Sequence, residues 1–387
     1  MRIISIHTFY KNHGGGEDVV FNNEAKLLRD NGHDVECLVF SNESIGGRIS
    51  QIVYFFKSIY NSRSAWVLKK RIRAFQPDII HVHNTFFVAS PAVFRVAKKY
   101  GIPVVHTLHN YRLICPSATL YHNGKIYTES TDKLFPIKAI LRKIYRESML
   151  QTTLVVLITA IHKLAGTYKN CIDRFIILNN FSKPIFEKSS LRIDKNKMVF
   201  KPNYVDEPTI VSSKKEDYYI FLGRLTQEKG VLTMLEAFKS SGLKIKIFGS
   251  GELEHQVLNA SERNENIEFH GFKERSELMQ LISSAKALIF PSEWYETFGL
   301  TIIEAFSVGT PVIVSDIGGH SELVLEGING FHFKAGDPED LNSVLEKFED
   351  HENKDQMSIN AKKEYALKYT PEKNYNHLIE IYNSLIH

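Results

Sequence analysis

Short apolar runs, each followed by a polar, glycine-bearing turn and then by a stretch with apolar positions three and four apart, recur along the chain. The first, MRIISIHTFY, predicts an opening strand, and HGGGEDVVFNNEAKLLRDNGHDV after it predicts a glycine turn leading into a helix that ends at Gly32. PDIIHVHNTF and IPVVHTLHNYRLICP predict two further strand-and-loop units. Toward the carboxyl end LIFPS, from Leu288 to Ser292, predicts a buried strand ending in a polar turn, and GLTIIEAFSVG, from Gly299 to Gly309, a helix closed by glycine. Strand-then-helix alternation in both halves is the pattern of two doubly wound parallel sheets, an α/β architecture. Length agrees, since 387 residues are too many for one ordinary domain and suit two. KPNYVDEP, from Lys201 to Pro208, has the prolines and polar residues of a linker, which places one domain at 1–203 and another at 204–370. The closing stretch 371–387 shows helical spacing at Tyr375, Leu378, Ile379 and Tyr382.

Candidate chemistry gathers where predicted strands end, which is where open α/β sheets hold their ligands. Glu296 follows the strand LIFPS, and Glu304 lies a little over one turn into the next helix, from which side chains lean back toward the helix start. The amides of Phe298, Gly299 and Leu300 at that start are donors suited to phosphate or a sugar hydroxyl. Glu304, flanked by Ile302, Ile303, Ala305 and Phe306, is expected to be partly buried and so to need partners. Arg224 and Lys229, in FLGRLTQEKG, offer a planar fork and a point charge for a diphosphate, although both residue types are also common on surfaces. Gly249 and Gly251 in IFGSGE allow a close backbone approach, a weak signal taken alone. Gly14, Gly15 and Gly16 fit an anion-facing turn at a helix start and equally any tight corner. His81 and His83 alternate along a predicted strand and share a face, but no nearby Cys or paired carboxylate completes a metal site, so none is expected. Arg112 suits an anionic group or a structural loop.

Glu296-x7-Glu304, followed by GTPVIVSDIGGHSELVLEGINGFHF, resembles the donor-site signature of glycosyltransferase family 4, retaining enzymes of the GT-B fold, and the likeness extends over nearly the whole chain. The resemblance implies two Rossmann-like domains facing across a cleft, a final helix that crosses back to the first, and transfer of a sugar from a nucleoside diphosphate without a metal or other cofactor. It assigns Glu304 to the ribose hydroxyls, Glu296 to the donor sugar and its departing phosphate, and Arg224 with Lys229 to the diphosphate. Gly15 and Gly16 fall on the family's first glycine loop near donor phosphate, Gly14 near the acceptor, and Gly271 and Phe272 near the nucleotide base. His109, implied to be catalytic together with Glu296, Arg224 and Lys229, falls beside the donor sugar and toward the acceptor, and Arg112 falls toward the acceptor; many relatives have Asp where this chain has Asn110. A UDP sugar is the preferred donor, with GDP-mannose as the other type, and a surface polysaccharide the expected product. An epimerase acting on a UDP sugar, or a binding protein that turns nothing over, would share the fold.

Charge is divided unevenly. Residues 1–205 hold 30 Lys plus Arg against 14 Asp plus Glu, and residues 206–387 hold 18 against 30. A basic first half suggests an anionic partner such as a membrane surface or a lipid-linked diphosphate. KLFPIKAILRKIYRESM, from Lys133 to Met149, predicts a basic amphipathic helix that suits a membrane interface or a solvated face over core contacts. No recognised nucleic-acid module accompanies the charge, so no nucleic-acid partner is expected. LVVLITAI is far shorter than a membrane span, MRIISIHTFY lacks the features of a signal peptide, and the scattered Cys37, Cys115 and Cys171 give no disulfide framework. Together these lead one to expect a cytoplasmic protein, peripheral on the inner face of the membrane.

Overall fold

The computed structural model describes residues 1–10, 15–42, 57–208 and 214–386, with the side chain of Ser276 excepted. The chain divides into two compact units: Met1–Leu120, Tyr127–Pro202 and Asn374–His387 form the first, and Tyr121–Ile126 with Asn203–Lys373 the second. The short hairpin β5 (Tyr121–His122) and β6 (Lys125–Ile126) belongs to the second unit.

The first unit is a parallel sheet of β1 (Arg2–Phe9), β2 (Asp34–Ser41), β3 (Ile79–Val82), β4 (Val104–Thr107), β7 (Arg174–Ile177) and β8 (Met198–Phe200), in the order β2-β1-β3-β4-β7-β8. Its helices are α1 (Gly16–Asp30), α2 (Ser62–Phe75), α3 (Ala92–Lys99), α4 (Ile137–Leu141), α5 (Met149–Leu164), α6 (Thr167–Cys171) and α7 (Ser182–Glu187). The second unit is a parallel sheet of β9 (Tyr219–Leu222), β10 (Ile245–Phe248), β11 (Ile267–Phe269), β12 (Leu288–Phe290), β13 (Val312–Ser315) and β14 (Gly330–Phe333), in the order β11-β10-β9-β12-β13-β14. Around it run α8 (Val231–Ser241), α9 (Glu254–Arg263), α10 (Arg275–Ser284), α11 (Leu300–Ser307), α12 (Gly318–Ser321), α13 (Pro338–Glu349) and α14 (Lys354–Lys368). The last helix, α15 (Pro371–Asn383), starts in the second unit and lies in the first from Asn374 onward. These are two Rossmann-like, doubly wound parallel-sheet domains.

Central strands are buried and mostly apolar because helices cover both faces of a parallel sheet. Ile79–Val82, Val104–Thr107 and Val312–Ser315 are buried along their whole lengths. Strand order reverses between β1 and β3 in one sheet and between β9 and β12 in the other, so the loops after those strands flank the two ligand crevices expected of such sheets.

The region Lys133–Met149 is not the single amphipathic helix that its periodicity suggests. Only α4, five residues long, forms there. Lys143, Arg146 and Glu147 take left-handed φ values, which a continuous helix excludes, and Ile144 and Tyr145 turn inward.

An ion pair lies within the first unit. Glu24 of α1 accepts from Lys201 Nζ at 2.5 Å, and both side chains are almost wholly buried. His81 stands over the pair, its Nδ1 3.8 Å from Glu24, and is fixed by Thr107 Oγ1 at 2.7 Å and by the Tyr382 hydroxyl of α15 at 2.8 Å. Removing one partner of a buried pair strands the other charge. Lys201→Met is therefore expected to cost about 3–5 kcal/mol in urea denaturation, while Lys201→Met with Glu24→Leu recovers much of the loss; equal loss in the double variant would contradict the role given to the pair.

Candidate functional site

In the second unit the loops after β9 and β12 bring two of the residues singled out by sequence, Lys229 and Glu296, into contact. Glu296 is buried, and its Oε1 accepts from Lys229 Nζ at 2.7 Å, from Trp294 Nε1 at 3.1 Å and, closely, from Ser292 Oγ. Lys229 sits in the turn Gln227–Lys229 after β9 and lies over the rings of Phe290 and Trp294. Burial pushes the Glu296 carboxyl up, but the Lys229 ammonium, His320 and the bonds from Lys229 and Ser292 outweigh it and hold the group below its ordinary range. Arg224, in the loop between β9 and that turn, is exposed and pairs with Glu228 at 3.3 Å.

Glu304 occupies the second turn of α11 and meets Arg275 Nη2 of α10 at 2.9 Å. Burial raises its carboxyl, with Arg275 opposing. Helix α11 begins at Leu300 after Phe298 and Gly299, so its first amides have no acceptor within the helix. The two acids and the helix start follow one strand, as their spacing suggests. Gly249 and Gly251 are required by the fold itself: a Cβ at either would strike the carbonyl of Gly223 or Leu225 in the β9 loop. Gly271 has a left-handed φ of 66° with open space around it, and Phe272 beside it is 71% exposed.

Sequence reading missed the supports of this site. His320, buried in the turn DIGGH, donates to or accepts from Ser315 Oγ at 3.1 Å, and Ser315 in turn donates to the Ser292 carbonyl at 2.5 Å. Burial lowers the His320 ring to about 4, against the pull of Glu296. Gly318, with φ at 69°, lies where a Cβ would come within 2.9 Å of Tyr295 Cα, and Gly319 N donates to the Glu296 carbonyl at 3.1 Å. The paired glycines before His320 were the available signal.

The first unit holds the second group. Gly15 caps α1 and Gly16 opens it; Gly14 lies outside the described residues. Gly15 has an ordinary extended φ of −68° and room for a Cβ, so internal packing does not demand glycine there. Asp18 binds the Gly15 amide at 3.3 Å and His7 Nε2 at 2.7 Å. The loops after β3 and β4 line a cavity among His83, Asn84, Phe86, His109, Asn110 and Arg112. His109 Nε2 meets His83 Nδ1 at 3.0 Å, and burial, followed by the fields of His7 and His81, drives the His109 ring well below its ordinary value. The Arg112 guanidinium is stacked on Phe86 and Tyr145 and donates to the Pro116 carbonyl.

His83 Nε2 lies 3.7 Å from Glu24, so a carboxylate from α1 does join the two strand histidines that spacing had left without one. Glu24, His81 and His83 are close enough to share one cation. The chain supplies a cation there itself, the Lys201 ammonium bonded to Glu24.

Residues 206–365 match the family model for glycosyl transferases group 1, and residues 14–160 match that for glycosyltransferase family 4. The chain is 27% identical over 314 residues to an uncharacterized 42.6 kDa protein in the cps region of Klebsiella pneumoniae, covering 78% of this chain and 75% of that one. It is 29% identical over 141 residues to the lipopolysaccharide 1,2-N-acetylglucosaminetransferase of Salmonella typhimurium, covering 33% and 36%. Among solved structures, HepE of Anabaena in complex with UDP superposes with a TM-score of 0.69 at 16% identity, covering 99% of this chain and 100% of that one. Sucrose-phosphate synthase of Thermosynechococcus elongatus does so with a TM-score of 0.70 at 14% identity, covering 100% and 99%.

His81, His83, His106, His109 and His320 are all held neutral by burial. A histidine whose folded value is depressed contributes stability above its unfolded value near 6.5, and that contribution is lost as pH falls below it. The urea midpoint should therefore drop steadily from pH 6.5 toward 4, with a shallower slope in His320→Gln; a midpoint unchanged over that range would contradict the neutral assignment.

Proposed function

The chain belongs to glycosyltransferase family 4, and on that premise we propose that it moves a sugar from a nucleoside diphosphate, UDP by preference and GDP with mannose as the other type, to a hydroxyl of a glycan or lipid-linked glycan, with retention at the anomeric carbon and without a metal. The observation that carries this reading is the Lys229–Glu296 pair joining the β9 and β12 loops at the switch point of the second sheet, beside the start of α11. Relatives named for a cps region and for lipopolysaccharide favour a bacterial surface polysaccharide as the product, and the UDP complex of a structural neighbour favours UDP.

In this reading the nucleotide occupies the second unit. Glu304, held by Arg275, accepts from the ribose hydroxyls. The base lies by Gly271 and Phe272, and the diphosphate meets the α11 amides, Arg224 and Lys229. When the glycosidic bond breaks, negative charge grows on the leaving phosphate, and cations fixed in advance lower the barrier. Lys229 is fixed by Glu296 and by two aromatic faces, whereas Arg224 is exposed and free to swing from Glu228 onto phosphate. Glu296 holds hydroxyls of the donor sugar. The acceptor falls to the first unit, with Arg112 and His109.

A thermal-shift titration with UDP, GDP and ADP tests the donor site, because a ligand of the folded state raises the melting point. UDP should give the selective rise, and Arg224→Ala should abolish it. Glu304→Ala removes hydrogen bonds to a charged group, worth about 1.5–3 kcal/mol, and is expected to weaken UDP binding by about ten- to a hundredfold; unchanged affinity would remove the ribose role. Formation of an isomerised sugar from donor alone would replace transfer with epimerisation.

A membrane surface is the natural place to meet a lipid-linked acceptor. Phe135, Ile137, Leu141 and Leu150 are exposed around α4 beside Lys133, Lys138, Lys143 and Arg146, a mixture that suits anionic headgroups over acyl chains. No helix among the described residues is long and apolar enough to cross a membrane. The protein should co-sediment with phosphatidylglycerol vesicles, and Ile137→Asp with Leu141→Asp should reduce the bound fraction severalfold; equal binding by the variant would shift the contact elsewhere.

A further inference from the structure

Helix α1 brings to the carboxyl ends of β1, β3 and β4 an acid that neither its spacing nor the resemblance marks. Glu17, the second residue of α1, is held through both oxygens: Asn84 Nδ2 donates to Oε1 at 3.0 Å and Asn110 Nδ2 to Oε2 at 3.2 Å. Both amides are themselves oriented by backbone. Asn84 also donates to the Thr8 carbonyl at 3.0 Å and accepts from the Phe86 amide at 2.9 Å, and Asn110 accepts from the Arg112 amide at 2.9 Å. Their NH2 groups are thus turned toward Glu17, and β1 together with the loops after β3 and β4 contributes to setting one carboxyl group. Asn84 and Asn110 also line the cavity that holds His109 and Arg112. Among the described residues no Lys or Arg side chain bonds Glu17. It is therefore placed carefully at a cost to stability, which is the mark of a group kept for a ligand.

We propose that Glu17 is the group with which the first unit grips its acceptor, its carboxyl hydrogen-bonding a hydroxyl of the acceptor sugar between Asn84 and Asn110. The assignment rests on the transferase reading above and supplies the acid of its acceptor side. Burial, and then the neighbouring Asp18, raise this carboxyl to about 8, against Arg112 and the two asparagines, and Tyr10 faces it from the end of β1. Near neutral pH it carries a proton, and the O–H donates to a sugar oxygen. An acid whose folded value is raised contributes stability at low pH and loses it as pH climbs from the ordinary carboxylate range toward 8. Glu17→Gln should then melt higher than the wild type at pH 8, and the gap should close below about pH 4.5.

The test uses the full chain with the methyl glycosides of glucose, galactose, mannose and N-acetylglucosamine as probes, read by saturation-transfer NMR, alongside UDP binding by thermal shift. The wild type is expected to bind at least one glycoside, and Glu17→Ala, which removes the donor that Gln would keep, to weaken it about tenfold or more while UDP affinity stays within about twofold, as for loss of one strong hydrogen bond. Glycoside binding equal in the variant, no glycoside bound by the wild type, or no gain in melting temperature at pH 8 would each overturn the proposal. Glycoside binding that depends on Glu17 in a protein that ignores UDP would uphold this contact and overturn the transferase reading instead, so the two failures are distinguishable.

Discussion

A carboxylate taken out of water must be met by a cation or give up its charge, and each unit of this protein meets that demand with a lysine delivered from a different loop. In the first unit Lys201, just past β8, reaches Glu24 on α1. In the second, Lys229, just past β9, reaches Glu296 just past β12. Each pair has a buried histidine nearby, His83 in one case and His320 in the other, kept neutral by the same desolvation. The two pairs differ in what surrounds them. Glu24 and Lys201 are sealed in, so their bond serves the fold. Lys229 keeps 18% of its side chain exposed and is offered to solvent at a crevice. The same interaction is therefore structural in one unit and available to a ligand in the other.

Neutral histidines follow from that arrangement. With Lys201 already balancing Glu24, a protonated imidazole alongside would be an unmatched charge in a dry place, and His81, His83 and His109 lie within reach of that field. They act as hydrogen-bonding hinges between strands instead: His81 joins β3 to β4 and α15, and His83 supports His109. The cavity above them is furnished by asparagine, neutral histidine and one stacked arginine, a lining suited to hydroxyl groups.

Much of this was legible in the residues. Alternation of strands and helices gave the two sheets, because central strands of parallel sheets are mostly apolar on both faces and their helices are apolar on one. The second-unit acids were legible because they lie on one loop and the helix after it. What spacing cannot express is contact across the fold. Glu24 and Glu17 sit in a helix whose periodicity looks ordinary, and only the folding of α1 against β3 and β4 reveals that one meets a lysine 177 residues away and the other meets asparagines from two loops. The stretch after Lys133 misled for the opposite reason: its helical periodicity is real, but three left-handed residues interrupt it.

Tyr382, whose hydroxyl binds His81, is separated from it by 301 positions, and the whole of Asn203–Lys373 lies between them. The order of synthesis therefore runs against the order of completion. As the chain leaves the ribosome, β1, β3 and β4 have long been present when the second unit is finished, yet the phenol that satisfies His81 arrives only afterward. An amino-terminal domain that usually matures first must here wait with a polar gap in its interior, and becomes whole only when its neighbour has been made.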